Sequence, residues 1–326
     1  MKTALVTGIL GQDGHHLAPF LQEKGYRVWG MVDGTNPDRT KAFQQRFPHV
    51  EIVLGDLANT DQIYELIKKL SPDEIYNLAA QSFVAKSFNE AELTGNITGL
   101  GTLRILEAIK RISDVKQIRM YQASSSEMFG AAQNSPQNED TQFFPRSPYA
   151  IAKVFAHNSC VNYRQAFETH VSCGILFNHE GEFRREEFVS RKITKSVAQI
   201  KLGKIKKFSL GSLDPERDWG YAGDYVKAMW AMLQQDAPDD YVIATGESNS
   251  VKEFLRIALD LADLNGEIEK YVDFDATFVR PVEVTRLRGD ATKAKKILGW
   301  KPIVGFENLV ELMLKNDLEL EAETIA

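Results

Sequence analysis

Residues 3–24 read TALVTGILGQDGHHLAPFLQEK, and this stretch decides the fold. Thr3 to Thr7 is a short apolar run of the kind that forms a buried strand. Gly8, Gly11 and Gly14 follow at the spacing G-x-x-G-x-x-G, His15 to Lys24 predicts a helix, and Tyr26 to Val32 predicts the next strand. Strand, glycine turn and helix in succession are the context in which such glycines bind a dinucleotide. They let the backbone approach a pyrophosphate, and the helix N-terminus offers unpaired N–H groups. Asp33 ends the second strand, where a carboxylate accepts from the adenosine ribose hydroxyls and selects the cofactor without a 2′-phosphate. Its plainer reading is a turn residue before Gly34. Arg39 and Lys41 stand close by as cations that a 2′-phosphate would use.

Moving outward, strands are predicted at Val50 to Leu57, Glu74 to Ala80, Gln117 to Ser126 and His170 to Asn178. Helices are predicted from Asn59 to Leu70, Glu92 to Ile112 and Pro148 to Glu168. Unbroken alternation implies a doubly wound, Rossmann-type parallel sheet, whose ligands bind beyond the carboxyl ends of the strands. The glycine turn, Asp33, Asp56, Ala79 to Ser82 and Ser124 to Glu127 all fall at such ends. After Asn178 the alternation fails, which predicts a smaller mixed α/β substrate domain at the C-terminal end. The expected division is 1–177, with 213–245 returning to it, as the dinucleotide domain, and 178–212 with 246–326 as the substrate domain. Asp290 is expected to cap a short helix ended by Gly299, and the acidic helix from Phe306 is expected to lie in solvent.

The chemistry gathers between Tyr121 and Lys153. YQASSSEMFG ends a strand in serines and a carboxylate, and PRSPYAIAK opens a helix with Tyr149 and Lys153 four residues apart on one face. An ammonium beside a phenol favours the phenolate, so this pair is expected to lower the Tyr149 pKa. Ser125 offers a hydrogen bond to a developing carbonyl, and Glu127 a second acid or base.

The totals narrow the classes. The chain has 326 residues and a net charge of -6, which argues against nucleic-acid binding. No apolar run reaches membrane-spanning length. The start lacks the apolar core of a signal peptide, and there are two cysteines, Cys160 and Cys173, so a cytoplasmic protein with free core thiols is expected. The six histidines show no ligand spacing, so no metal is expected. Trp219 and Trp230 read as core residues.

TGxxGQDG, NLAAQS, QASSSEMFG, PRSPYAIAK, GILFNHE, FVSRKI, LGSLDPERDWG, RPVEV and KKILGWKP, in this order, resemble the GDP-mannose 4,6-dehydratase family, extended short-chain dehydrogenase/reductases that act on nucleotide sugars. The resemblance covers nearly the whole chain. It implies Ser125, Glu127, Tyr149 and Lys153 as catalytic residues. It implies cofactor contacts at Gly8, Gly11, Gln12, Asp13, Asp56, Leu57, Leu78, Ala79, Ala80, Gln81, Ser82, Tyr149, Lys153, His179 and Arg184, to which the local strand-turn-helix pattern adds Gly14 and Asp33. It implies contacts to a GDP-sugar at Ser82, Asn178, Val189, Lys192, Arg217, Arg280 and Glu283. On the residues alone, His179 reads equally as a structural histidine and Arg184 as part of a solvated charge run with Arg185.

Four departures from the family pattern stand out. Asp33-Gly34 replaces paired arginines that serve the NADP 2′-phosphate and contacts between subunits, which favours NAD(H) over the family's NADP(H) and a homodimer over a tetramer. Gly181-Glu182-Phe183 replaces a Ser-Pro loop, Leu93 a tyrosine, and Ser125 a threonine. The expected activity is internal dehydration of a GDP-hexose, GDP-mannose first, over a tightly bound and recycled cofactor. The alternatives are a GDP-heptose 4,6-dehydratase, a nucleotide-sugar 4-reductase or epimerase, which needs no base at Glu127, and a dinucleotide-sensing regulator.

Overall fold

The computed structural model describes residues 1–278, 282 and 284–323. The chain begins β1 (Thr3–Thr7), α1 (Gln12–Glu23), β2 (Arg27–Val32), α2 (Pro37–Arg46), β3 (Glu51–Leu54), α3 (Thr60–Leu70) and β4 (Glu74–Asn77). Short helices α4 (Val84–Ser87) and α5 (Ala91–Thr94) lead through a π-helical segment, Gly95–Leu100, into α6 (Gly101–Ile112). Then come β5 (Arg119–Ser125), α7 (Pro148–Phe167), β6 (Val171–Leu176) and β7 (Asn178–Glu180). The second half carries α8 (Val189–Lys201), β8 (Phe208–Leu210), β9 (Glu216–Arg217), β10 (Trp219–Tyr221), α9 (Ala222–Leu233), β11 (Asp240–Ile243) and β12 (Asn249–Ser250). It ends in α10 (Val251–Leu261), β13 (Val272–Phe274), α11 (Thr292–Ile297) and α12 (Phe306–Glu323).

Seven strands form one sheet in the order β11-β6-β5-β4-β1-β2-β3, every pair parallel. One face packs on α1 and α9 through Leu17, Leu21, Tyr225 and Met229. The other packs on α3, α6 and α7 through Ile63, Ile67, Ile105, Ile109 and Cys160. Each such side chain, fully buried, contributes roughly 1.5–3 kcal/mol. The fold is therefore the doubly wound α/β sheet that the alternation predicts. A separate cluster joins α8, α10 and α12 through Ile193, Val197, Phe254, Leu255, Leu309 and Met313. Cys160 and Cys173 are free and buried, and Trp219 is 2% exposed in the core while Trp230 packs partly buried against it.

Four local expectations change. The run from Asp33 to Val50 holds a helix the pattern did not reveal. Asn36 caps α2 by accepting from Arg39 N at 3.0 Å, and Pro37 sits in its first turn. The strand expected from His170 to Asn178 splits, and its end pairs as β7 with β10. Asp290 lies one residue too early to be the N-cap of α11, although its Oδ1 accepts from Thr292 N at 2.9 Å. The acidic tail is not solvated, because Leu309, Val310, Met313 and Leu314 are buried and Asp317 pairs with Arg191 Nε at 2.6 Å.

The two halves of the chain meet at a partly buried ion pair. His179 of β7 places Nε2 3.1 Å from both carboxylate oxygens of Asp13, in the first turn of α1, and donates from Nδ1 to Phe177 O at 2.8 Å. A carbonyl and a carboxylate both accept, so the geometry calls for an imidazolium. Burial pushes the Asp13 carboxyl up, but the charge and hydrogen bond of His179 overcome it and hold it at about 2, against an ordinary 3.8. Burial likewise opposes the His179 charge, and Asp13 raises its pKa above the ordinary 6.5.

A depressed carboxyl stabilises the fold above its ordinary pKa and stops doing so as pH falls toward the folded value. A raised imidazole stabilises below its ordinary pKa and stops doing so as pH rises past the folded value. The pair thus acts fully between about pH 4 and pH 6.5. Asp13→Asn is expected to remove on the order of 2 kcal/mol of unfolding free energy in that window and to flatten the acid limb below it. Urea titrations across pH measure this, and an acid limb identical to that of the unaltered protein would disprove it.

Candidate active site

A cavity of about 700 Å³ opens at the carboxyl ends of β1, β2, β4, β5 and β6. Its floor is the glycine turn. Gly8 has φ +66°, and a Cβ there would sit 2.8 Å from Ala79 Cα and N, so only glycine lets this turn and the end of β4 approach so closely. Gly11, Gln12 and Asp13 follow along the opening turn of α1 and line the cavity. Gly14 does not. It lies inside the helix against Ile9, whose carbonyl oxygen would be 2.0 Å from an added Cβ, so it serves packing.

Most of the expected residues gather here. Asp33, Asp56, Leu57, Leu78, Ala79, Ala80, Gln81, Ser82, Asn178, His179 and Arg184 line the cavity, together with Ser125, Glu127, Tyr149 and Lys153. Asp33 is exposed at the mouth, and its Oδ1 accepts from Thr35 N at 2.9 Å and Thr35 Oγ1 at 2.7 Å. Gln12 donates from Nε2 to His179 O at 2.9 Å, a second tie between the glycine turn and β7. Arg184 pairs through Nε with the buried Glu180 at 2.8 Å and lies over the Phe188 ring.

Val189, Lys192 and Arg217 do not line this cavity. Lys192 Nζ sits 3.3 Å over the Phe278 ring. Arg217 is 5% exposed, and its Nη1 donates to Val284 O at 2.8 Å and Glu216 O at 2.9 Å. Arg280 and Glu283 fall outside the described residues. Two cations stand at the mouth, Arg39, which the sequence offers to a 2′-phosphate, and Arg185, which it leaves as part of a solvated charge run. Arg39 donates from Nη2 to Leu10 O at 2.7 Å, and Arg185 pairs with Glu187 while its charge lies near enough to depress the Arg39 pKa behind the effect of burial. The charge run around Arg185 was the available signal, and only the folding of the loop onto the cleft turns it inward.

The departing loop Gly181-Glu182-Phe183 docks on α1. Phe183 stacks on His15 at 4.8 Å and lies under Arg46, while Glu182 sits 3.8 Å from His16. The histidines of the opening stretch thus hold this loop against the cofactor-facing helix. Leu93 also reaches the cavity wall.

At the far end the reactive groups form a compact set. Ser125 Oγ accepts from Glu127 N at 3.2 Å, and Ser125 lies beside the Tyr149 phenol. Lys153, 3% exposed, donates from Nζ to Ala123 O at 2.6 Å, and Nζ lies 5.8 Å from the centre of the Tyr149 ring. Burial pushes Tyr149 up to about 12, the Ser125 hydroxyl pulls it down, and the Glu127 charge adds to the rise. Burial also brings the Lys153 amine down to about 8. The expected lowering of the phenol by the ammonium is therefore reversed in this site. Desolvation of a fully enclosed phenol outweighs a cation held by a backbone carbonyl. Elsewhere, His157, Cys173 and Asp240 bring possible ligand atoms within 4.8 Å of one another, a grouping that spacing along the chain conceals.

The family model described as GDP-mannose 4,6 dehydratase matches residues 5–313. GDP-mannose 4,6 dehydratase 1 of Arabidopsis thaliana is 48% identical over 98% of this chain and 90% of its own length. The GDP-mannose 4,6 dehydratase of Homo sapiens is 45% identical over 98% of this chain and 92% of its own. Among solved structures, the dTDP-glucose 4,6-dehydratase of Bacillus anthracis in complex with NAD superimposes with a TM-score of 0.82 at 22% identity, covering 99% of this chain and 98% of that one, a likeness of fold. With the match running nearly end to end, the chain belongs to the GDP-mannose 4,6-dehydratase family.

Proposed function

We propose that this protein is a hydro-lyase that converts GDP-mannose to its 4-keto-6-deoxy product. The observation that carries this reading is the meeting of Ser125, Glu127, Tyr149 and Lys153 in one cavity of a chain that matches the family nearly end to end. The glycine turn fits a dinucleotide diphosphate, since Gly8 leaves bare backbone beside the N-terminus of α1. When bound, the dinucleotide supplies a hydride acceptor and donor and, oxidised, a positive charge that favours the Tyr149 phenolate.

The residues divide the work. Tyr149 takes the proton of the 4-hydroxyl, and Ser125 donates to the oxygen that becomes the 4-keto group. The carbonyl acidifies the hydrogen on carbon 5. Glu127 removes that proton and passes it to the departing 6-hydroxyl, which leaves as water. The proton held by Tyr149 returns to carbon 5 and the hydride lost from carbon 4 would return to carbon 6 by way of the bound dinucleotide, so one water is lost and no net oxidation occurs. Lys153, tied to Ala123 O, keeps a cation beside the phenol and the nicotinamide ribose. Residues 1–177 with 213–245 form the dinucleotide part in this reading. Residues 178–212 and 246–326 hold the GDP-sugar. Asp33, with Oδ1 occupied by Thr35, leaves Oδ2 for a ribose hydroxyl, which favours NAD(H) in a cytoplasmic enzyme. The exposed apolar face of Leu93, Leu100, Ile151 and Phe155 suits a second copy of the chain, giving a homodimer.

Incubation with GDP-mannose and NAD+ is expected to give a sugar nucleotide lighter by one water, and an unmodified or epimerised sugar would overturn the reading. Glu127→Gln should still oxidise carbon 4 yet dehydrate about 10²–10⁴-fold more slowly; normal product formation would remove Glu127 from the mechanism. The nucleotide released from freshly purified protein by acid is expected to be NAD or NADH, and finding the 2′-phosphorylated form would refute the role of Asp33. Phe155→Glu should turn the dimer into a monomer in sedimentation, and an unaffected dimer would point to another interface.

A further inference from the structure

Tyr149, Lys153 and His157 stand at successive four-residue steps on α7 and so share one face. Each meets a different residue at the end of β5. Tyr149 faces Ser125, Lys153 bonds Ala123 O at 2.6 Å, and His157 Nδ1 lies 3.0 Å from Ser124 Oγ. His157 and Ser124 are both 4% exposed, so this last bond is shielded from bulk solvent, although Ser124 itself lines the cavity. On its other side His157 places Nε2 3.8 Å from Asp240 Oδ2 at the start of β11, and the opposite oxygen of Asp240 receives Arg164. Cys173 of β6 completes the surroundings. A metal ion is a poor occupant of this group, because the Arg164 guanidinium already holds Asp240 and its charge repels a second cation.

We infer that His157 is a positioning residue, anchored by Asp240, whose bond to Ser124 fixes the strand end that presents Ser125 and Glu127 to Tyr149. Ser124 lies between the acceptor of Lys153 and the neighbour of Tyr149, so a shift at Ser124 displaces both. Glu127 follows in the 3₁₀ turn Ser126–Met128 and moves with it. A misplacement of about 1 Å at reacting groups is enough to cost about 10²-fold in rate. The inference rests on the catalytic set proposed above, and its test includes an arm that does not depend on turnover.

In the full chain with its cofactor, His157→Phe and Ser124→Ala are each expected to lower kcat on GDP-mannose about tenfold with KM within about twofold. His157→Asn, whose amide can take the place of Nδ1, should recover kcat to within about threefold of the original. The double variant His157→Phe with Ser124→Ala should be no slower than the slower single variant, because both remove the same bond. Additive losses, or an Asn variant as slow as the Phe variant, would overturn the inference. Amide hydrogen exchange of the peptide spanning 122–129, measured without substrate, should quicken in the Phe and Ala variants and not in the Asn variant. Unchanged exchange in both the Phe and Ala variants refutes the hold on β5, whereas absence of turnover in the unaltered protein refutes the proposed reaction and leaves this measurement intact.

Discussion

All seven strands of the central sheet run in one direction, and that constraint governs everything built on it. A parallel sheet needs a crossover after every strand, so its loops divide between two rims. The carboxyl rim collects the glycine turn, the ends of β2, β4 and β5, and the start of β7. The cleft they form is kept narrow by the contact of Gly8 with Ala79, where a side chain would force the strands apart. Across that cleft the Asp13–His179 pair ties the first helix to the strand that leads into the second half of the chain.

The electrostatics of the site follow from enclosure more than from pairing. Tyr149 and Lys153 are both buried, and burial drives their pKa values in opposite directions, to about 12 and about 8. A phenol so placed stays neutral in the empty cavity, and the lysine is poised near neutrality. Face-sharing residues of α7 meet the end of β5, so the arrangement of these side chains and the packing of helix on sheet are one structure.

The second half contributes by contact. Glu182 and Phe183 seat a loop on the histidines of α1, and Arg39 and Arg185 meet at the mouth although they lie far apart in the chain. The acidic terminal helix packs inward because its apolar stripe meets α8 and α10, while Asp317 finds Arg191. Composition alone had suggested a solvated tail. A buried charge becomes tolerable once it is paired, and the partner lies more than a hundred residues away.

What the sequence by itself determined is local and periodic: the glycine turn between β1 and α1, the alternation that makes the sheet parallel, and the step of four between Tyr149 and Lys153. These depend on backbone sterics and helical geometry within a few residues, which the order of amino acids encodes directly. Helix α2 is equally local, but beyond its Asn36-Pro37 start it buries only Phe43, so almost no apolar pattern marks it. Only the tertiary structure decided which way the Tyr149 pKa moves, that Gly14 packs on Ile9, that Arg217 turns to backbone carbonyls, and that His157 finds Ser124. Desolvation and hydrogen-bond partnership arise from segments remote in the chain brought together, and no spacing along the chain records them.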